Sequence, residues 1–255
     1  MSGQTVVLLH AFPFDARLWA PQAEVLAAAG SQVHAPNLPG FGGTELLPGA
    51  PSIDSVADAI LADLEHRGID RAVLGGISLG GYVAMAMLRK RPEMFTAAIC
   101  CDTKASADTE LARENRFRMA KAVTENQQEC GRILQQAMLA GLLGQVTRDT
   151  RPELVAQVSA WLDDAGPKAV AWYQQAMADR VESLTTLGAL DIPVLILWGS
   201  GDTLSPEADQ MAMLQVLRRG QEVKIAGAGH LSIVEHPGST SRAIKDFIAA
   251  VRRPD

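Results

Sequence analysis

Short apolar runs alternate along most of the chain with longer segments whose apolar residues repeat at helical spacing. Apolar runs of this length, bounded by glycine and polar residues, are typical of strands buried on both faces of a parallel sheet. The alternation of strand and helix predicts an α/β fold with a mostly parallel, doubly wound sheet. The predicted strands are Thr5–Leu9, Gln32–Ala35, Ala72–Gly75, Ala97–Cys101, Val194–Trp198 and Glu222–Ile225.

Four segments between or after these strands are predicted to form helices. In the segment that follows Ser52, apolar residues recur at helical spacing, so one face of this helix is expected to be buried. Ser52 offers a side-chain oxygen that suits a helix N-terminus, and Gly68 suits the C-terminal end. The predicted helices are Arg17–Ala29, Ile53–Arg67, Leu79–Arg91 and Ser241–Val251.

The alternation stops in one long segment, residues 104–187, which carries several helical patterns and no convincing strand. We therefore predict one α/β core, residues 1–103 and 188–255, with a helical cap inserted at 104–187. The insertion leaves the sheet at the end of one strand and returns at the next. It is therefore expected to cover the carboxyl edge of the sheet, where ligands bind in open α/β folds.

The segment Val73–Ala84 contains the pattern Gly-x-Ser-x-Gly between a predicted strand and a predicted helix. This pattern is typical of a nucleophile elbow, a strained turn that lifts a serine hydroxyl clear of the sheet. Glycines two residues to either side of Ser78 let neighbouring backbone pass close to the turn. Ser78 is therefore the candidate nucleophile.

A serine hydroxyl needs a base that accepts its proton and an acid that orients the base. His230 and Asp202 each follow a predicted strand in a glycine-rich loop, and the chain order Ser, Asp, His suits a nucleophile elbow. Since the carboxyl ends of parallel strands meet at one edge of a sheet, the three residues are predicted to form a catalytic triad. Asp102, which follows the preceding strand, is an alternative acid.

Acyl transfer also requires two N–H donors for the negatively charged oxygen of the tetrahedral intermediate. The first is predicted to be the backbone N–H of Leu79, the residue after the candidate nucleophile. The second is that of Phe12, in the loop after the first strand. His10, in the same loop, is interpreted as a structural residue that hydrogen-bonds the backbone.

Composition narrows the class of protein. The net charge of −6, without a long basic run, argues against nucleic acid or a membrane surface and favours a small-molecule partner. The three cysteines form no disulfide framework or metal-ligand pattern, and the N-terminus resembles neither a signal peptide nor a membrane span, so a cytoplasmic enzyme is expected. Dinucleotide, phosphate-loop and zinc-protease motifs are missing from the sequence, so no metal and no other cofactor is predicted.

With these residues identified, the chain resembles the α/β-hydrolase superfamily along nearly its whole length. His10–Pro13 is similar to the family's H-G-F-P oxyanion loop, Leu38–Gly42 to its D-L-P-G-F/H-G segment, and Gly229–Pro237 to its G-H-x-x-x-x-E-x-P ending. The segment Phe12–Trp19 is most similar to 3-oxoadipate enol-lactonases and related carboxyl-ester hydrolases. Ala11 replaces the family's usual glycine, and the first hairpin of the family's sheet is expected to be absent or reduced.

The resemblance and the predicted triad together imply a serine hydrolase that cleaves a small carboxylic ester or lactone through an acyl-enzyme. Two alternatives stay open. The first is a carbon–carbon hydrolase or a cofactor-free haloperoxidase-like enzyme, since both resemble the chain in the same motifs. The second is a small-molecule receptor with little turnover, because some relatives use the pocket in this way. Arg113, Arg116 and Arg118 are interpreted as a solvated helix face, with attraction of an acidic substrate as the alternative. The residues predicted to contact substrate are Asp102, Lys104, Trp161 and Trp172, with Tyr173, Met119 and Met138 as further candidates for an apolar pocket.

Overall fold

The computed structural model describes residues 3–251. At its centre is a sheet of six parallel strands in the order β2-β1-β3-β4-β5-β6, flanked by helices. The strand order reverses at β1, so the sheet is wound in both directions and the predicted α/β fold class is confirmed. The strands are β1 (Thr5–Leu9), β2 (Gln32–His34), β3 (Ala72–Ile77), β4 (Phe95–Cys101), β5 (Val194–Gly199) and β6 (Gly220–Ile225).

The strand that leads to the candidate nucleophile is longer than predicted. β3 continues to Ile77, which pairs with Cys101 at the end of β4, so Ser78 directly follows the last paired residue. β4 in turn begins at Phe95 rather than Ala97, because Phe95 pairs with Ala72 across a shift in register. The longer pairing fixes the backbone up to the residue before Ser78.

The predicted helices outside the insertion are present, with altered ends. The first begins with a 3₁₀ turn, Ala16–Trp19, because Pro21 in the first turn of the following α-helix has no N–H to donate. The last begins at Pro237 rather than Ser241, since proline suits the first turn of a helix. The helices are α1 (Ala20–Ala28), α2 (Ile53–His66), α3 (Leu79–Lys90) and, at the end of the chain, α12 (Pro237–Val251).

Between β4 and β5, the described chain contains helices and no strand. The last of these helices ends at Ala189, just beyond the predicted insertion 104–187. In this segment the helix Glu110–Glu125 packs on Pro167–Ala178, and the helix Cys130–Leu142 packs on Pro152–Asp163. Residues 1–2 and 252–255 of the predicted core lie outside the described residues. The helices are α4 (Glu110–Glu125), α5 (Cys130–Leu142), α6 (Gln145–Thr150), α7 (Pro152–Asp163), α8 (Pro167–Ala178) and α9 (Leu184–Ala189).

The two strands that precede Ser78 and Asp202 are completely buried. Every residue of β3 and of β5 is buried, whereas β6, at the edge of the sheet, is mostly exposed. Two further helices, α10 (Glu207–Val216) and α11 (Ser232–Glu235), follow β5 and β6. Buried strands hold the loops at their carboxyl ends in fixed positions. Over residues 3–251, no helix has the length and apolar character needed to cross a membrane.

Candidate active site

The turn after β3 holds Ser78 in a backbone conformation that residues other than glycine rarely adopt. Ser78 has φ 52° and ψ −114°. Its N–H donates to the Cys101 carbonyl at 3.0 Å, and the Thr103 hydroxyl donates to the Ser78 carbonyl at 2.8 Å. Strain of this kind persists where the surroundings fix it, which is common at functional sites. The turn leaves the half-buried Ser78 hydroxyl at the carboxyl edge of the sheet.

Gly76 and Gly80 are required on either side of this serine because a side chain at either position would collide with backbone. A Cβ on Gly76 would lie 2.2 Å from the Gly80 carbonyl oxygen. A Cβ on Gly80 would lie 2.1 Å from the Leu9 carbonyl oxygen. These distances give the Gly-x-Ser-x-Gly pattern its physical reason, since only glycine lets the two backbones approach so closely.

Ser78, His230 and Asp202 form a continuous chain of hydrogen bonds. Ser78 Oγ lies 2.8 Å from His230 Nε2, and His230 Nδ1 lies 2.8 Å from Asp202 Oδ2. An ionised carboxylate can only accept, so Nδ1 carries the imidazole proton and Nε2 accepts from the Ser78 hydroxyl. The structure thus brings the three predicted residues together in an arrangement that allows His230 to take a proton from Ser78.

The electrostatic surroundings favour an ionised Asp202 and a basic His230. Asp202 Oδ1 accepts the N–H groups of Leu204 and Ser205, and Oδ2 accepts the Ser205 hydroxyl at 2.5 Å. Burial raises the pKa of Asp202, but the charge of His230 and these hydrogen bonds outweigh burial and bring the pKa below its ordinary value. Burial lowers the pKa of His230, yet attraction to Asp202 outweighs it and brings this pKa above its ordinary value of 6.5.

Asp102 is buried behind the site and does not face the cavity. A substrate contact was predicted for this residue, and the structure does not place it there. Its side chain is fully buried and does not border the cavity above Ser78. Oδ1 accepts the Gly199 N–H at 2.8 Å, and Oδ2 accepts the N–H and hydroxyl of Ser232 at 3.1 Å and 2.5 Å. Both oxygens are therefore directed at loops of the core, and the acid that contacts His230 is Asp202.

Two backbone N–H groups beside Ser78 are available for an oxyanion. Within residues 3–251, neither the Phe12 nor the Leu79 N–H donates a hydrogen bond. Leu79 is the first residue of α3, where the helix dipole favours negative charge, and Phe12 borders the same cavity as Ser78. Ala11 fits its loop without strain, because Ser78 and Asp102 are the only described non-glycine residues with a positive φ.

His10 stabilises the loop that follows β1 through hydrogen bonds to backbone groups. Its fully buried ring accepts the Leu38 N–H at Nε2, at 2.9 Å, and donates from Nδ1 to the Ala11 carbonyl at 3.0 Å. The neutral imidazole satisfies both bonds, and burial lowers the pKa of His10 to about 4. This geometry agrees with the structural role interpreted from the sequence.

A cavity of about 690 Å³ lies between the helical insertion and the carboxyl edge of the sheet, and Ser78 and His230 border it. Its volume is that of a small-molecule site, and most of its wall is apolar. Lys104 borders this cavity, as do Met119 and Met138. Arg116 and Arg118 also border it, and Arg118 is at the same time exposed to solvent.

The two tryptophans predicted to contact substrate lie elsewhere. Trp161 packs against Phe14 with ring centroids 6.4 Å apart, and the Arg17 guanidinium lies 5.8 Å from the centre of its ring. The indole N–H of Trp172 points to the Gly49 carbonyl at 3.4 Å. Neither tryptophan borders the cavity above Ser78, and nor does Tyr173, which is fully buried. Their aromatic surfaces serve packing between the helical insertion and the core.

A cluster that the sequence did not predict lies beside the cavity: Tyr82, Asp108 and Arg116 border it, and Arg180 contacts Asp108 and Tyr82. The Asp108 side chain is fully buried between the two arginines, with Arg180 Nη1 at 2.7 Å, and the Arg180 guanidinium lies 4.2 Å from the centre of the Tyr82 ring. Tyr82 follows Ser78 by about one helical turn, which is a signal that the sequence offered. Asp108 and Arg180 are distant in sequence, and no local pattern links them.

Glu235 ties the loop of His230 to the helical insertion. This buried side chain accepts the Gly229 N–H at 2.6 Å and the Gly144 N–H at 2.8 Å. Glu235→Gln is expected to lower the free energy of unfolding by about 1–3 kcal/mol, because a glutamine amide leaves one buried N–H without an acceptor. Urea denaturation checks this, with Glu153→Gln, whose side chain is 72% exposed, as the control. Equal stability of the two variants would contradict the role given to Glu235.

Comparison with known proteins identifies the family. The family model of the alpha/beta hydrolase fold matches residues 4–237. Because this match covers most of the chain, the chain belongs to the alpha/beta hydrolase fold family, and the superfamily predicted from its motifs is confirmed.

Individual relatives carry the names of ester and lactone hydrolases. The chain is 34% identical to a thermophilic esterase from Thermogutta terrifontis, solved with malate bound, with a TM-score of 0.93 over 99% of this chain and 92% of that chain. It is 25% identical to pimeloyl-[acyl-carrier protein] methyl ester esterase of Aromatoleum aromaticum, over 97% of this chain and 99% of the relative. It is also 25% identical to 3-oxoadipate enol-lactonase 2 of Acinetobacter baylyi, over 81% of this chain and 74% of the relative.

Proposed function

We propose that this protein is a serine hydrolase that cleaves a small carboxylic ester or lactone through an acyl-enzyme. The observation that carries the proposal is the chain of two 2.8 Å hydrogen bonds from Ser78 through His230 to Asp202, at the wall of a cavity. The esterase and enol-lactonase names of the relatives support the same bond type, a carboxylic ester. The three free, buried cysteines fit the cytoplasmic location expected from the sequence.

The geometry supports a two-step reaction. Ser78 Oγ attacks the ester carbonyl while His230 Nε2 takes the hydroxyl proton, and the N–H groups of Phe12 and Leu79 stabilise the oxyanion. When the tetrahedral intermediate collapses, the C–O bond of the ester breaks and His230 gives its proton to the leaving alcohol. Water, deprotonated by His230, then attacks the acyl-enzyme and releases the acid and Ser78. In a lactone, ring opening leaves the hydroxyl on the acyl chain, and the last step releases a single hydroxy acid.

The cavity suits a small, largely apolar substrate. About 690 Å³ is bordered mainly by apolar side chains, with Phe12 beside the nucleophile and Met119 and Met138 in the helical insertion. Lys104 is a charged residue that we propose contacts the ligand, because it borders the cavity and, among the described residues, forms no ion pair. No nucleic acid or membrane partner enters the proposal.

The direct test is hydrolysis of p-nitrophenyl acetate and butyrate, together with trapping of the acyl-enzyme. A fluorophosphonate should label the protein stoichiometrically, and mass spectrometry should locate the adduct on the peptide that contains Ser78. Hydrolysis over many turnovers with the label at Ser78 supports the proposal. Stoichiometric binding of esters without release of alcohol would favour the receptor alternative, and a label at another residue would contradict the role of Ser78.

The pH dependence of the reaction should report His230. Because the pKa of His230 lies above 6.5 and only the neutral imidazole accepts the serine proton, kcat/KM is expected to be low in acid and to rise through this pKa. Steady-state hydrolysis of p-nitrophenyl butyrate from about pH 5 to about pH 9 measures the profile. A midpoint at or below the ordinary histidine value, or a profile that falls with pH, would count against His230 as the base.

A further inference from the structure

One buried carboxylate takes no direct part in the proposed reaction. Asp102 is 0% exposed, and no Lys, Arg or His nitrogen within residues 3–251 lies within 4.0 Å of it. An unpaired buried carboxylate is unfavourable and persists only where its surroundings compensate. Asp102 also has a φ of 39°, in the left-handed region that favours glycine. Two unfavourable features at one residue beside the site indicate a functional position.

The Asp102 carboxylate joins the two loops that carry Asp202 and His230. Oδ1 accepts the N–H of Gly199, the last residue of β5, shortly before Asp202. Oδ2 accepts both the N–H and the hydroxyl of Ser232, shortly after His230. A shift of either loop would break at least one of these three bonds. The carboxylate therefore fixes the separation between the acid and the base.

The charge of Asp102 also acts on His230. Burial lowers the pKa of His230, the carboxylates of Asp202 and Asp102 raise it, and the Lys104 ammonium lowers it. Burial and the charge of Asp202 raise the pKa of Asp102 itself well above its ordinary value. The charge of His230 and the hydrogen bonds to the carboxylate lower this pKa, but by less. A protonated His230 therefore favours an ionised Asp102, and the reverse also holds.

We propose that Asp102 is a positioning residue, whose carboxylate holds the Asp202 and His230 loops at their working separation and stabilises His230 after it takes the Ser78 proton. The inference rests on the proposed base role of His230. The proton moves from Ser78 to His230 and on to the leaving alcohol. Asp102 neither accepts nor donates it, and acts through charge and through the three hydrogen bonds to its oxygens.

The test is an NMR titration of the His230 ring in ¹⁵N-labelled Ser78→Ala protein, with and without Asp102→Asn. His230→Gln identifies the ring signals. Asparagine has nearly the same shape as aspartate and removes the charge, so the pKa of His230 is expected to fall by about one pH unit. The measurement needs no turnover, so it stays informative even if the protein hydrolyses no ester. An unmoved or raised pKa would overturn the proposal.

Two further variants separate charge from structure. Asp102→Ser also removes the charge and serves if the asparagine variant does not fold; it is expected to lower the pKa of His230 in the same direction. Ser232→Ala removes one hydrogen bond to Asp102 and keeps the carboxylate, so it should move the pKa of His230 less than Asp102→Asn does. A larger movement in Ser232→Ala than in Asp102→Asn would show that the hydrogen bond to the Ser232 loop, not the charge of Asp102, sets the pKa of His230, and would overturn the proposed stabilisation of His230 by that charge.

Activity supplies an independent measurement. In the otherwise unmodified protein, Asp102→Asn should move the rise of kcat/KM to lower pH and reduce kcat by about tenfold, since one pH unit corresponds to about tenfold in the stability of the protonated ring. Urea denaturation, run in parallel, shows whether the variant is folded. A folded Asp102→Asn protein with wild-type kcat and an unshifted profile would contradict the inference.

Discussion

Replacing Ser78 by alanine is expected to lower kcat/KM for p-nitrophenyl butyrate by on the order of 10⁴-fold to 10⁶-fold. The change removes the oxygen that lies 2.8 Å from His230 Nε2 and leaves the imidazole, Asp202 and the N–H groups of Phe12 and Leu79 in place. Because the members of such a chain act as a unit, no partial reaction through the serine hydroxyl survives. Steady-state assays over a range of enzyme concentrations measure the loss.

The control for this prediction is Ser55→Ala. Ser55 lies on α2 and is exposed, and its hydroxyl makes no hydrogen bond within residues 3–251. The variant undergoes the same chemical change and the same purification, and it should keep wild-type activity. Ser78→Ala should also keep wild-type stability, since the strained turn is held by backbone contacts to Cys101 and Thr103. Wild-type turnover by Ser78→Ala would remove Ser78 as the nucleophile.

The parts of the site that sequence could predict are those whose signal is local. Ser78 lies between a strand and a helix that periodicity reveals, and its flanking glycines are needed because backbone atoms pass within about 2 Å of where a side chain would be. Asp202 and His230 each follow a strand end in a glycine-rich loop. In a parallel sheet these ends share one edge, so topology alone brings the side chains near one another.

The contacts of the helical insertion could not be predicted in this way. Trp161 and Trp172 have the apolar character of pocket residues, but which face of a helix meets the cavity depends on how the helices pack on one another. Asp108 and Arg180 form a buried pair although they are far apart in sequence, and neither residue alone indicates the other. Helical periodicity predicts a buried face without specifying its partner.

Asp102 shows the same limit within the core. Its place after β4 predicted a residue at the carboxyl edge, and the structure places it there, at the end of that strand. Its positive φ of 39° turns the side chain towards the Gly199 and Ser232 loops and away from the cavity. Position at a strand end therefore predicts which residues gather at the site. It does not predict which of two carboxylates contacts the histidine.

Asp202→Asn decides between those two carboxylates and is expected to lower kcat by about 10⁴-fold. The asparagine oxygen can keep the bonds from Leu204 and Ser205, which directs the amide nitrogen towards His230 Nδ1. An amide donor there favours the tautomer with the proton on Nε2, which cannot accept the proton of Ser78. Measurement of kcat well above the pKa of His230 isolates this effect from simple protonation.

The matched comparison is Asp102→Asn, assayed at the same pH. Asp102 makes no hydrogen bond to the imidazole, so its loss should cost far less than the loss of Asp202, which lies 2.8 Å from Nδ1. The ¹⁵N shifts of the ring should show the changed tautomer in Asp202→Asn and the original tautomer in Asp102→Asn. If Asp102→Asn instead caused the greater loss and altered the tautomer, Asp102 would be the acid of the reaction and Asp202 a loop-forming residue.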